Sequence, residues 1–233
     1  MSNVANNLQK VQERMAAAAK RVGRNPEEIR LVAVSKTVPP DRVLEGIQAG
    51  IKILGENYVQ EAKKKIEALG HNVAWHFIGH LQTNKAKIAV RLFDLIHSVD
   101  SLHLAEELNK AARAEGKVLP ILLEVKLSAE KSKFGVEEDN ILQLAEGISR
   151  MENLMLRGLM TMPPLFPDPE DARPYFIRLR NLSETLASQK FARVLMEELS
   201  MGMSNDFEVA IEEGATLVRV GTAIFGPRTS QNI

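Results

Sequence analysis

The 233-residue chain has no cysteine, which removes disulfides, thiol nucleophiles and thiolate metal sites together. That absence fits a reducing compartment, where disulfides rarely persist. It has no net charge either. Thirty Lys and Arg balance thirty Asp and Glu, so no overall field draws it to nucleic acid or to a membrane surface. No apolar run approaches the ~18 residues of a membrane-spanning helix. Residues 1–20 are polar and alanine-rich, without the apolar core of a signal peptide. Repeats, low-complexity tracts and long charge runs are missing as well. Together these absences lead us to expect a cytoplasmic protein that binds neither nucleic acid nor membrane.

The sequence does contain a regular alternation. Val4, Leu8, Val11 and Met15 recur at helical spacing, so the chain opens with an amphipathic helix. Short runs rich in branched apolar residues follow, at 29–36, 51–54, 73–79, 95–99, 121–127, 155–160, 195–200 and 217–220. Helix-like stretches separate them, at 41–49, 58–69, 83–92, 102–115, 137–149, 171–189 and 205–213. Eight strands with helices between them build a parallel sheet with helices outside. Their number and the chain length match a compact (β/α)8 barrel; an open doubly wound sheet is the alternative. The proline-rich segment from Met162 to Pro169 reads as a stiff loop. We expect one domain spanning 1–233.

In such a barrel the functional face is made by the C-terminal strand ends. The first strand ends in Ser35-Lys36, placing a solitary lysine at its tip. If the tip opens into a cleft, that amine is a nucleophile for an aldehyde. After the last two strands come Ser200-Met201-Gly202-Met203-Ser204 and Gly221-Thr222. Small and hydroxyl residues there suit a phosphate, with Ser200, Gly221 and Thr222 as candidates. The plain structural alternative is that the glycines end strands and Ser204 caps the next helix. Arg219 alternates onto the same face as Leu217 and Gly221, towards the barrel interior. There it serves either a structural ion pair or the ring nitrogen of a heterocycle. His76, His80 and His97 form no metal-ligand pattern, and no metal site is expected. His76 and His97 read as structural, whereas His80 falls in a mouth loop. Met160 is core filler or a ring contact.

Several ordered blocks resemble one family: Leu31-Val32-Ala33-Val34-Ser35-Lys36, Gly55-Glu56-Asn57-Tyr58-Val59-Gln60-Glu61, Trp75-His76-Phe77-Ile78-Gly79-His80-Leu81-Gln82, Arg157-Gly158-Leu159-Met160, Leu199-Ser200-Met201-Gly202-Met203-Ser204 and Arg219-Val220-Gly221-Thr222. The family is that of the pyridoxal-phosphate homeostasis proteins. The resemblance implies a barrel like the N-terminal domain of alanine racemase, a fold type III arrangement with pyridoxal 5'-phosphate as an internal aldimine on Lys36. It also implies that Ser200, Gly221 and Thr222 hold the phosphate. Arg219 would face the pyridine nitrogen, and Asn57 and Met160 would flank the cofactor. Proline can replace His80 in the family, so His80 is not required. Lys133 matches a family lysine in the 130–135 loop.

Racemases and decarboxylases of this fold type carry a second, β-rich domain after the barrel, which in the racemases supplies a catalytic tyrosine across a dimer interface. Only residues 227–233 follow Gly226 here. The expectation is therefore a monomeric, non-catalytic binding protein for intracellular pyridoxal-phosphate homeostasis, with pyridoxal-phosphate-dependent apoenzymes as transient partners. A small racemase using Lys36 and His80 as its two bases is the alternative. A cofactor-free lyase or aldolase is a third reading.

Overall fold

Val4, Leu8, Val11 and Met15 form the buried stripe of the first helix, α1 (Asn3–Arg21), joined by Ala18 and Ala19. The computed structural model describes residues 3–128 and 134–227. Helix α1 lies against three later helices, α2 (Pro40–Gln48), α8 (Phe207–Glu212) and α9 (Thr222–Phe225). Its exposed side is tied down at Arg14, whose Nε is 2.6 Å from Glu208 Oε1.

The strands are β1 (Arg30–Val34), β2 (Ile53–Glu56), β3 (Ala74–Phe77), β4 (Leu95–Val99), β5 (Leu119–Lys126), β6 (Val136–Glu137), β7 (Leu154–Met160), β8 (Val194–Ser200) and β9 (Leu217–Val220). All pair in parallel, in the order β4-β3-β2-β1-β9-β8-β7-β5, and β4 returns to β5. That last pairing closes the sheet into an eight-stranded (β/α)8 barrel and excludes the open sheet. The two-residue β6 sits outside the barrel on β5. The remaining helices are α3 (Val59–Leu69), α4 (Ala86–Leu92), α5 (Leu102–Ala114), α6 (Ile141–Ser149) and α7 (Arg173–Ser188).

A parallel barrel buries both faces of every strand. Strand alternation therefore sorts the apolar residues into two layers. Val32, Ile53, Leu95, Leu122, Met160 and Leu217 pack together inside the barrel. Ala33, Leu54, Trp75, Ile96, Leu123, Val218 and Val220 join the larger core under the helices. Each fully buried Leu or Ile contributes about 1.5–3 kcal/mol through removal of its surface from water.

Strand β2 begins two residues later than its apolar run suggests. Helix α2 ends in a Schellman motif, with Gly50 at φ 111° as its left-handed residue. Ile51 N–H donates to Gly46 O at 3.0 Å and Gly50 N–H to Ile47 O at 3.0 Å. Those amides belong to the helix end, so the ladder starts at Ile53 and carries Gly55 and Glu56 into the strand. Glu137 likewise belongs to β6 rather than to a helix. The segment after β7 has no regular structure through Phe166, and Leu165 there is 80% exposed.

Candidate functional site

Strand β1 delivers Lys36 through a tight turn. Val38 N–H donates to Ser35 O at 3.0 Å. Thr37, the third residue of the turn, has φ 63°, a left-handed conformation that costs a β-branched residue about 1–3 kcal/mol. The turn is held from below. Thr37 N–H donates to Glu61 Oε1 at 2.6 Å, and Lys65 Nζ donates to Ser35 O. Lys65 also meets Glu56 Oε1 and Glu61 Oε1, each at 2.7 Å. Ser35 Oγ donates to Glu56 Oε1 at 2.6 Å. Burial pushes the Glu56 carboxyl up, against the pull of Lys65.

Arg219 points into the barrel, as its alternation with Leu217 requires. Its guanidinium meets neutral oxygens. Nη1 donates to Ser200 Oγ at 2.6 Å and Nη2 to Thr161 O at 2.8 Å. The carboxylates Glu124 and Asp206 act on it through space, and burial lowers its pKa to about 10. Ser200 Oγ also lies 2.8 Å from His97 Nδ1, so the hydroxyl joins the guanidinium to the imidazole, with the direction of the second bond following the His97 tautomer. His97 Nε2 is in turn 3.0 Å from His76 Nδ1. Burial holds both rings neutral, His76 with its pKa down to about 3 and His97 well below the ordinary value. The two histidines thus form a buried neutral pair, linked to Arg219 through Ser200.

A cavity of about 380 Å³ opens at this end of the barrel. Lys36, Asn57, Arg219, Gly221 and Thr222 all line it, with Val34, Ile78 and Met162 as apolar wall. Two expected residues are not on that wall. Met160 is fully buried in the inner layer. Ser200, opposite Met160 in the ladder, is fully buried too, and its hydroxyl is held between Arg219 and His97. The hydroxyl that does reach the cavity from the loop after β8 is Ser204. It does not cap α8: Asp206 precedes that helix, and its Oδ1 accepts from Met203 N–H at 2.6 Å. Asn57 Oδ1 is buried beside the cavity without a hydrogen-bond partner. The neighbouring strand end comes close to Asn57, because a Cβ on Gly79 would lie 2.5 Å from Asn57 O.

His80 belongs to a second cleft of about 710 Å³, which shares Asn57, Ile78 and Met162 with the first. Its ring stacks on Phe134 with centroids 3.6 Å apart. Tyr58, Lys85 and Glu124 line the same cleft. Burial and nearby Asp100 raise the Glu124 carboxyl to about 7, against the pull of Arg219. Lys133 lies outside the described residues. Among the described residues, no three His, Asp or Glu side chains are grouped to hold a metal ion, and no helix is long and apolar enough to cross a membrane.

Sequence reasoning gave no role to Glu56, Glu61, Lys65 or Glu124, and weighed Ser204 only as a helix cap. A signal for Lys65 existed: it follows Glu61 by one helical turn and adjoins the buried stripe of Val59, Ala62 and Ile66.

A parallel barrel that gathers a strand-tip lysine, a buried guanidinium and hydroxyls after its last two strands has the architecture of the alanine racemase N-terminal domain. The model of that family matches residues 3–229. A pyridoxal phosphate homeostasis protein of Aquifex aeolicus is 47% identical over 227 residues, 97% of this chain and 99% of the relative. One from Escherichia coli K12 is 42% identical over 232 residues, 98% of each. The solved structure of PipY from Synechococcus elongatus PCC7942, with PLP bound, superposes with a TM-score of 0.82 at 38% identity and covers 93% of this chain and 100% of that one. The chain belongs to the family of pyridoxal phosphate homeostasis proteins.

Proposed function

We propose that this protein binds pyridoxal 5'-phosphate, holds it covalently through Lys36 and serves its intracellular homeostasis without turning over amino acids. The observation that carries the reading is one cavity lined by the Lys36 amine, the Arg219 guanidinium and the hydroxyls of Ser204 and Thr222. Its size suits one small ligand, and its relatives are named for this cofactor.

The residues present fit the group. Bound pyridoxal phosphate supplies an aldehyde that condenses with a primary amine and a ring that accepts electrons. Lys36 Nζ is the amine. Thr222 and Ser204 hydroxyls, with the Gly221 backbone, hold the phosphate. Val34, Ile78 and Met162 exclude water from the ring. Asn57 Oδ1, a buried acceptor, takes a donor from the ligand. Arg219 offers a permanent donor to the ring nitrogen and so disfavours its protonation. Ser200 and Met160 act one layer deeper, as the support of Arg219 and the packing beneath the ring.

The absence of turnover is supported by the lining of the cavity. Among the described residues it contains no tyrosine or histidine that could serve as a second base opposite Lys36. The carboxylate that reaches it, Asp206, is engaged by Met203 N–H. His80 stacks on Phe134 in the neighbouring cleft. The proposal extends to a cytoplasmic monomer that passes the cofactor transiently to apoenzymes, which gel filtration and a transfer assay with a pyridoxal-phosphate-dependent apoenzyme would test.

The deciding experiment adds pyridoxal phosphate to the purified protein, records the visible spectrum, reduces with borohydride and maps the labelled peptide by mass. We expect the label on the Lys36 peptide and none there in Lys36→Ala. Amino acids should be neither racemised nor decarboxylated. Wild-type protein without label at Lys36, or with turnover that Lys36→Ala abolishes, would overturn the proposal.

A further inference from the structure

We infer that Glu61 and Lys65, backed by Glu56, are positioning residues that aim the Lys36 amine, and that this buried ion cluster sets how readily Lys36 reacts with an aldehyde. The inference rests on the cofactor reading above and concerns residues outside the cavity wall.

The geometry is specific to one α-carbon. Two peptide groups meet at Lys36, those joining it to Ser35 and to Thr37. The carbonyl of the first accepts from Lys65 Nζ. The N–H of the second donates to Glu61 Oε1 at 2.6 Å. Glu61 Oε1 and Lys65 Nζ are themselves 2.7 Å apart, so one ion pair grips both peptides and fixes the direction of the Lys36 side chain. Glu56 completes the grip by accepting from Lys65 and from Ser35 Oγ.

A device of this kind needs a reason to exist. Thr37 sits at φ 63°, which an unbraced chain would leave, because a β-branched residue is strained there. Lys65 is 3% exposed, and an ammonium is rarely buried unless it is paired. A buried ion cluster is weak evidence for stability in itself. Here its hydrogen bonds end on the two peptides that orient a nucleophile, where small misplacements cost rate.

The test separates aiming from mere stability. Glu61→Ala removes the Thr37 anchor at a partly exposed helix position and leaves the Lys65–Glu56 pair in place, so the barrel keeps its buried charge balance. Lys65→Met/Glu56→Gln removes the buried charges together. Each folded variant is mixed with excess pyridoxal phosphate, and the rate of adduct formation, the pH midpoint of the visible band and the melting temperature without cofactor are measured. We expect borohydride to fix the adduct still at Lys36, formed roughly ten- to a hundredfold more slowly, with a displaced pH midpoint. Glu61→Gln keeps an oxygen acceptor for Thr37 N–H and should recover most of the rate. If the double variant does not fold, Glu61→Ala decides alone. A folded Glu61→Ala that reacts at the wild-type rate with the wild-type midpoint overturns the inference, whatever its melting temperature. Absence of any adduct on wild-type Lys36 would instead overturn the cofactor reading, and this inference with it.

Discussion

Arg219 and Lys65 are buried to nearly the same degree, 4% and 3% exposed, yet their surroundings differ in kind. Lys65 donates to two carboxylates and a carbonyl, one acceptor for each of its protons. Arg219 hydrogen-bonds a hydroxyl and a carbonyl, while Glu124 and Asp206 act on it from farther away. The lysine is saturated by its own protein and shapes the backbone that carries Lys36. The arginine lines the cavity with its charge unmatched by a contacting carboxylate, and its field is available to a ligand. Burial of a cation therefore says little about its purpose until its acceptors are counted.

The largest expected effect tests the saturated site. Lys65→Met strands Glu56 as an unpaired buried carboxylate and should cost about 3–5 kcal/mol in urea unfolding without cofactor. Adding Glu56→Gln should return most of it. If the single substitution is nearly neutral, the contrast between the two cations fails.

The second effect tests the neutral histidine pair buried behind Arg219. His76 and His97 have folded values below the ordinary 6.5, so the unfolded chain takes up their protons. Their contribution is present above pH 6.5 and is lost as pH falls towards the folded values. Glu124 runs the other way. Its folded value of about 7 exceeds the ordinary 4.5, so its contribution is present below pH 4.5 and is lost as pH rises through 7. Between these ordinary values the unfolded chain binds two protons at the histidines and the folded protein one at Glu124. The histidines should therefore make stability fall with acid, opposed by Glu124 and by the likewise raised Glu56 and Asp206, and Glu124→Gln should steepen the fall by up to about 1.4 kcal/mol per pH unit. Chemical denaturation across that pH range measures it, and an unchanged slope would refute the assignment.

A smaller effect is expected at Arg219 itself. Arg219→Met leaves the Ser200 and Thr161 oxygens without their donor, at about 1–3 kcal/mol, but strands no opposite charge. A loss as large as that of Lys65→Met would show that the carboxylates count as true partners. The smallest change is Thr37→Gly, which releases the left-handed strain and should raise apo-protein stability by up to about 1 kcal/mol in a thermal melt.

Much of this was legible in the residues. The α1 stripe, the eight strands and the stiff 162–169 loop follow from spacing, because helical and strand periodicities differ and proline lacks a donor. Lys36, Gly221 and Thr222 could be placed because they stand at strand tips, and Arg219 because parity alone decides which face it takes. Parity does not decide depth. Ser200 ends its strand below the cavity and Ser204 reaches the wall, although either fits a hydroxyl-rich loop on paper. Glu56 read as loop until the Schellman closure of α2 moved the strand two residues onward.

The barrel and the lysine at its mouth follow from the order of residues alone, since both rest on local periodicity and on which residue ends a strand. Which buried cation lines the cavity and which braces the turn emerges only in three dimensions. Lys65 meets Glu56 and Ser35 only after α3 folds back across β1 and β2. Arg219 meets Ser200 and Thr161 only once β7, β8 and β9 are side by side, and Ser200 meets His97 only across the closed barrel. Hydrogen bonds reach about 3 Å, and partners from 9 to 103 residues apart along the chain come within that distance through the fold alone.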